Sequence, residues 1–369
     1  MENNTTNAAA LLGTDDTYAV QLPANTSNYV LHLGLGVDST AMVCGAILSG
    51  DLPRAIYFSD PGHEWDESHE WFARVLAPVL AELGVEVVLT SRETAPMPRR
   101  QNTETLGEKC LRLRTQPSIS YGRHSCSILF KADAILAEQR HTEWMRQEWA
   151  AGRKVAKAIG YDADEDHRAK PTFPGKEGEQ FVPLYLLRQW GLTRCECVAL
   201  IERVLGSSPR KSACTFCPMN TMADWSNQAD NHNATFQYAL AIDAIGWADV
   251  QKKDDNGLLK RGPRDAKNND PKKRAADKPR RNRSLIGWAI ANGYTIDADV
   301  VTIAKARKAE SVARAAGDAD AVLAAITVSR EAAGRVAHRA YPSRYASAAA
   351  ATPVASAKGL NADLRPNWR

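Results

Sequence analysis

The sequence has no apolar run long enough to span a bilayer, no cysteine beyond Cys217, and almost no charge bias. Lys+Arg number 47 against Asp+Glu at 43, a formal net charge of +4. The first absence excludes a transmembrane helix. The opening Met-Glu-Asn-Asn-Thr-Thr also lacks the basic and apolar regions of a secretory signal, so a cytoplasmic protein that does not enter membranes is expected. Aromatic residues are few, at 7%, yet 44% of the 369 residues are hydrophobic. That supports the core of one large or two modest domains and excludes collagen-like, disulfide-dense and wholly disordered classes. The seven cysteines are odd in number and confined to residues 44–217. In a reducing compartment such a set suits metal, cluster or catalytic thiols rather than disulfides.

Charge is concentrated in one place. Between Lys252 and Arg283 stand 13 Lys/Arg and five Asp, a local excess of +8, in a stretch rich in Asn, Pro and Gly. It reads either as a basic arm that tracks nucleic-acid phosphates or as a solvated loop that keeps the protein soluble.

The order of elements argues for an α/β fold. Residues 1–27 form a polar, Ala-rich leader. Tyr29–Leu33, Ala55–Ser59 and Glu86–Thr90 read as short buried strands, with helical runs over Ala41–Leu48 and Trp65–Leu83 between them. Val155–Gly160 reads as a later strand running into an acidic loop. Short connections of this kind predict parallel pairing and a doubly wound, mostly parallel sheet, with ligands beyond the carboxyl ends of the strands. The expected organisation is an α/β domain over 28–220, a helical connection over 221–250 and a basic linker over 251–284. A helical extension follows over 285–342, then a tail over 343–369. The extension reads as two Ala-rich helices, Asp297–Ala316 and Asp318 to just before Pro342, with stripes at Val301, Ile303 (or Ala304) and Val312 and at Leu323, Ile326 and Val328. It is expected to pack on the main domain as a hairpin.

The chemistry starts at Leu33-Gly-Leu-Gly-Val-Asp-Ser-Thr-Ala-Met42. A glycine pair after a strand brings backbone N–H groups close to an anion, and the next helix adds its partial positive charge. Gly34, Gly36, Val37, Ser39 and Thr40 supply amides or hydroxyls, and Asp38 either braces the loop or approaches a metal held by phosphates. The segment is neither a Walker A loop nor Gly-x-Gly-x-x-Gly.

This loop resembles the pyrophosphate-binding loop of the PP-loop ATP-pyrophosphatase superfamily, usually Ser-Gly-Gly-x-Asp-Ser. Four further segments are similar to its phosphoadenosine-phosphosulfate-reductase-like branch. They are Phe58-Ser-Asp-Pro-Gly-His-Glu64 with Glu67, Cys126-Ser-Ile-Leu-Phe-Lys131, Gly160-Tyr-Asp-Ala-Asp-Glu-Asp-His-Arg168, and Trp190 to Cys217 with its closing Cys214-Thr-Phe-Cys217. The resemblance spans residues 30–220. Gly34 and Leu35 depart from the usual Ser and Gly, a variant similar to phage-type members, and the resemblance extends to enzymes that place sulfur in the DNA backbone.

The resemblance implies cleavage of ATP to AMP and pyrophosphate with Mg²⁺, activating an acceptor for sulfur transfer or nucleic-acid modification, with a nucleic acid and a sulfur-donor protein as partners. Lys131 and Arg168 are then the candidate phosphate cations beside Asp38 and Ser39. Asp60, Gly62 and Glu165 become candidates for holding Mg²⁺ or the nucleoside, whereas His63 and His69 are expected on a solvated helix start. Cys214 and Cys217 lie one turn apart, suited to one metal or cluster. With Cys126 and Cys197, or Cys195 in place of Cys197, they make the set that holds a [4Fe–4S] cluster in this family, and Zn²⁺ fits the same count. Cys44 and Cys110 read as structural. Two rival readings remain. A phosphoadenosine phosphosulfate (or APS) reductase needs a distal thiol that residues 218–369 lack. A non-catalytic nucleotide- or nucleic-acid-binding protein on the same fold is favoured by Leu35 in the loop.

Overall fold

A computed structural model describes residues 8–96, 104–117, 124–165, 168–247 and 284–342. The basic segment Lys252–Arg283 lies outside the described residues, as does the tail from 343. Two compact units divide the chain, one of residues 1–113 and 117–219, the other of 114–116 and 220–369.

The first unit is α/β, with a five-stranded, wholly parallel sheet. Its strands are β1 (Thr26–Leu33), β2 (Ala55–Asp60), β3 (Glu86–Ser91), β4 (Lys154–Ala158) and β5 (Phe181–Leu184), in the order β3-β2-β1-β4-β5. Helix α1 (Val37–Ser49) joins β1 to β2. Between β2 and β3 runs α2, which begins as Asp66–Trp71, widens through a π-helical turn at Phe72–Leu76 and finishes as Ala77–Glu82. The strand order therefore reverses between β1 and β4, and such a reversal opens a crevice at the carboxyl ends of those two strands.

The alternation of strand side chains assigns the two faces of the sheet. Leu31, Leu33, Ile56, Phe58, Ala156 and Ala158 pack with Val43, Ile47, Leu76 and Leu80 of α1 and α2. The same cluster takes in Leu200, Ile201 and Val204 of α3, the helix Arg194–Leu205. On the opposite face, Val30, Tyr57 and Val155 meet Ile135 and Met145 from the helices Asp133–His141 and Glu143–Ala150. Four of the five strands and both helices between the first three were expected from the sequence. β5 was not: it is four residues long and contains Pro183, tolerated because β5 is an edge strand.

The second unit is helical. Asn233–Trp247 packs against Ala298–Ala316 and Ala319–Ala340, so this hairpin's core partner is a helix of its own unit. The expected stripe is corrected here. Val301, Val312, Leu323 and Val328 are exposed, and only Ile303 and Ile326 of the six are buried. The buried seam is built instead of Val300, Ala306 and Ala313 facing Ala332, Ala333, Val336 and Ala337. Glu310 sits in this unit buried with Arg114 and Arg307 as ion-pair partners, and Arg314 also reaches it. Among the described residues, no helix is long and apolar enough to cross a membrane.

Candidate functional site

The turn after β1 sets the geometry. Leu35 holds a left-handed backbone (φ 56°) while its side chain is fully buried among the core residues of α1 and β1. A non-glycine residue in that region costs about 1–2 kcal/mol, which burial of a leucine side chain, at about 1.5–3 kcal/mol, offsets. The apolar anchor thus fixes a turn that glycine would take freely. Ser39 locks it from the other side: its Oγ accepts from the Gly34 amide at 2.9 Å and donates to the Gly36 carbonyl at 3.1 Å. The Ser39 hydroxyl is therefore a brace inside the turn. Thr40 is fully buried, and its amide donates to the Gly36 carbonyl.

Five amides remain. Those of Leu35, Gly36, Val37, Asp38 and Ser39 have no acceptor among the described residues. They lie at the N-terminus of α1, where unsatisfied donors and the helix dipole favour an anion. Gly36 and Gly160 let neighbouring segments approach the turn closely. A Cβ on Gly36 would stand 3.4 Å from Ser212 Cβ, and one on Gly160 would stand 3.0 Å from the Ser39 nitrogen.

Across the crevice, the loop after β4 brings two carboxylates to Asp38. Oxygens of Asp38, Asp162 and Glu165 lie within 4.8 Å of one another, the single such grouping of metal-ligand side chains among the described residues. The loop is held in place at both ends. Asp162 accepts from the Asp164 amide at 3.0 Å, and the Ala163 amide donates to Leu192 O at 2.8 Å, strapping the loop to the entry of α3. Burial raises the Asp38 pKa above the usual carboxylate range; Arg194 offsets this in part, while Asp162 and Glu165 add to it. Such a trio, with one member at a helix start, could hold a divalent cation through oxygen.

The predicted phosphate cations are both engaged. Arg168 Nη1 bonds Glu165 at 2.6 and 2.9 Å and lies over the Tyr161 ring, 4.2 Å from its centre. Lys131 Nζ lies 3.5 Å from Glu64 Oε2. Burial is the largest single influence and would lower the Lys131 pKa, but Glu64, Cys214 and Asp60 together outweigh it and hold the ammonium above its ordinary value. Glu64 is buried, and it also accepts from Ser212 Oγ at 3.0 Å and from the Ala213 amide. Asp60 ends β2, accepting from the Gly62 amide at 2.7 Å, with His69 Nε2 at 3.7 Å. The expectation of a solvated His63 is corrected: it is buried, edge-on to Phe216 at 5.1 Å, because residues 212–217 fold over it.

The cysteines divide between two surroundings. Burial holds Cys214 well above the ordinary thiol range, with Glu64, Cys217 and Cys126 adding to the rise. It raises Cys217 as well, against the opposing Met219 amide. Cys197 packs in the core with Cys44 and is pushed up to about 12 by burial, with Asp38 and Asp162 as its nearest charges. Cys195 is exposed, and Cys44 and Cys110 are buried. No three cysteine sulfurs gather within 4.8 Å among the described residues.

Asp162 and Arg194 were not singled out from sequence. Asp162 stood within the acidic run 162–166, and its place directly after a strand was the available signal. Arg194 carried none, because its meeting with Asp38 depends on where α3 docks. No family model matches the chain, and no curated protein matches it.

Proposed function

We propose that the chain binds a nucleoside triphosphate at the Gly34–Ser39 turn and cleaves it between the α- and β-phosphates, activating an acceptor, on a doubly wound fold of the PP-loop type. The observation that carries this reading is the row of five amides, Leu35 to Ser39, without an acceptor among the described residues, at the point where the strand order reverses and beside the Asp38–Asp162–Glu165 carboxylates. Amides at a helix start suit the oxygens of a leaving pyrophosphate, whose charge grows as the bond breaks. A divalent cation on the three carboxylates would supply neutralising charge at the same phosphates.

In the reaction an acceptor oxygen or nitrogen attacks the α-phosphorus and gives up its proton to solvent, the bond to the β-phosphate breaks, and pyrophosphate leaves with the electron pair; AMP is then released when a second nucleophile, sulfur or water, displaces it from the adenylated acceptor. Ser39 keeps the turn rigid through Gly34 and Gly36, so the donors are set before the substrate arrives. Cleavage at the γ-phosphate is disfavoured, because the lysine that a Walker A loop places on the β- and γ-phosphates is missing from Gly34–Thr40. The +8 charge of Lys252–Arg283 supports a polyanionic acceptor such as a nucleic acid.

Incubation with ATP and Mg²⁺, with and without DNA or RNA, tests the reading. AMP plus pyrophosphate is expected, rising when the acceptor is added. ADP plus phosphate, or no turnover and no ATP binding, would overturn it.

A further inference from the structure

Arg194 occupies the first position of α3, following its N-cap Thr193. A cation there lies at the positive end of the helix dipole, where it costs a few tenths of a kcal/mol or more. The helix does not need it: the Thr193 and Glu196 side chains close a capping box without Arg194. What Arg194 meets is Asp38, with Nη1 2.5 Å from Oδ1. The contact is a close ion pair, and it works against the rise that burial imposes on the Asp38 pKa. The Arg194 side chain is 44% exposed at the mouth of the crevice.

The charges around it make this an exchangeable pair. Three carboxylates crowd within 4.8 Å, and two arginines answer them, Arg194 on Asp38 and Arg168 on Glu165. Arg168 is held further by Tyr161, whereas Asp38 is the one side-chain partner of Arg194 among the described residues. A divalent cation entering the carboxylates would take Asp38 and repel the guanidinium. Phosphates bound on the Leu35–Ser39 amides, next to Asp38, would offer a released arginine oxygens that a guanidinium binds in a planar, two-pronged fashion.

We propose that Arg194 is an exchangeable phosphate ligand. It neutralises Asp38 in the nucleotide-free protein and turns to the bound phosphates once a cation occupies the carboxylates. This rests on the triphosphate reading and adds to it a named residue and a coupling: cation and nucleotide help each other bind through Arg194.

The test compares wild type with Arg194→Ala and Arg194→Lys in the full chain, with thermal melts confirming that each folds. Mn²⁺ alone, followed by electron paramagnetic resonance, should bind about ten-fold more tightly to Arg194→Ala, because a competing cation is gone. Calorimetric titration with ATP and Mg²⁺ should show the opposite, a loss of about ten-fold in Arg194→Ala with partial recovery in Arg194→Lys. Unchanged Mn²⁺ affinity, or unchanged ATP affinity in a variant whose parent binds ATP, makes Arg194 a static partner of Asp38 and overturns the exchange. Wild type that binds no ATP at all overturns the triphosphate reading itself, and the two failures are thereby told apart.

Discussion

Gly160, just beyond β4, lies against the backbone of Ser39 in the first turn of α1. A methyl group there would come 3.0 Å from the Ser39 nitrogen and 3.2 Å from the carbonyl carbon and Cβ of Asp38. The missing side chain lets the acidic loop approach the first turn of α1 closely. Gly160→Ala should therefore weaken ATP binding by ten-fold or more in a calorimetric titration while lowering the melting temperature by only a few degrees. Normal affinity in a folded Gly160→Ala protein would mean that phosphates bind away from this contact.

Leu35 gives a prediction of unusual order. Leu35→Ala keeps the left-handed strain and removes a buried side chain, so it should cost about 3 kcal/mol in urea unfolding. Leu35→Gly loses the same burial but relieves the strain, and should be more stable than the alanine variant by about 1 kcal/mol. An alanine variant at least as stable as the glycine variant would show that the turn is not strained.

Gly45 sits inside α1 where alanine would normally gain about 1 kcal/mol of helix propensity. Here a Cβ would fall 2.4 Å from the Trp190 ring, and overpacking of that kind costs about 1–3 kcal/mol. Gly45→Ala is thus expected to lower stability, measured by denaturant unfolding. A stabilised variant would show that Trp190 can retreat without cost.

His32 sets a pH dependence. On the face of β1 opposite Leu31 and Leu33, burial first and Lys157 second bring its pKa down to about 3. Its Nε2 lies 2.9 Å from Gln139 Nε2, which fits a neutral ring accepting from the amide. Between about pH 6.5 and pH 3 the unfolded chain binds a proton that the folded chain refuses. Stability is then full above about 6.5 and falls as the pH drops through that window, by up to about 1.4 kcal/mol per pH unit. Unfolding free energies of His32→Gln should flatten across the same window relative to wild type; an unchanged slope would remove His32 as its source.

Much of this fold could be read from the chain because its strands are short apolar runs that stop at turn residues. Leu33-Gly34 and Asp60-Pro61 mark strand ends that the structure keeps. α1 starts four residues before the apolar run that announced it, since its first turn is spent on Asp38 and Ser39. The hairpin helices misled for a physical reason: their seam is largely alanine, too small to dominate a hydrophobic pattern, so larger exposed residues such as Val312 drew the stripe. At the candidate site the sequence pointed to Asp38 and Glu165, which do meet, and to Lys131, whose Glu64 partner it did not foresee. Pairings across elements, Arg194 with Asp38 above all, depend on docking that no local pattern encodes.

The most direct test of the central claim is hydrogen–deuterium exchange of the full chain, followed through the peptide covering residues 33–42, with and without ATP and Mg²⁺. Slowed exchange concentrated at Leu35–Ser39 is the predicted result, since those amides gain phosphate acceptors. Exchange there that ATP leaves untouched, with protection arising elsewhere or nowhere, would contradict the account.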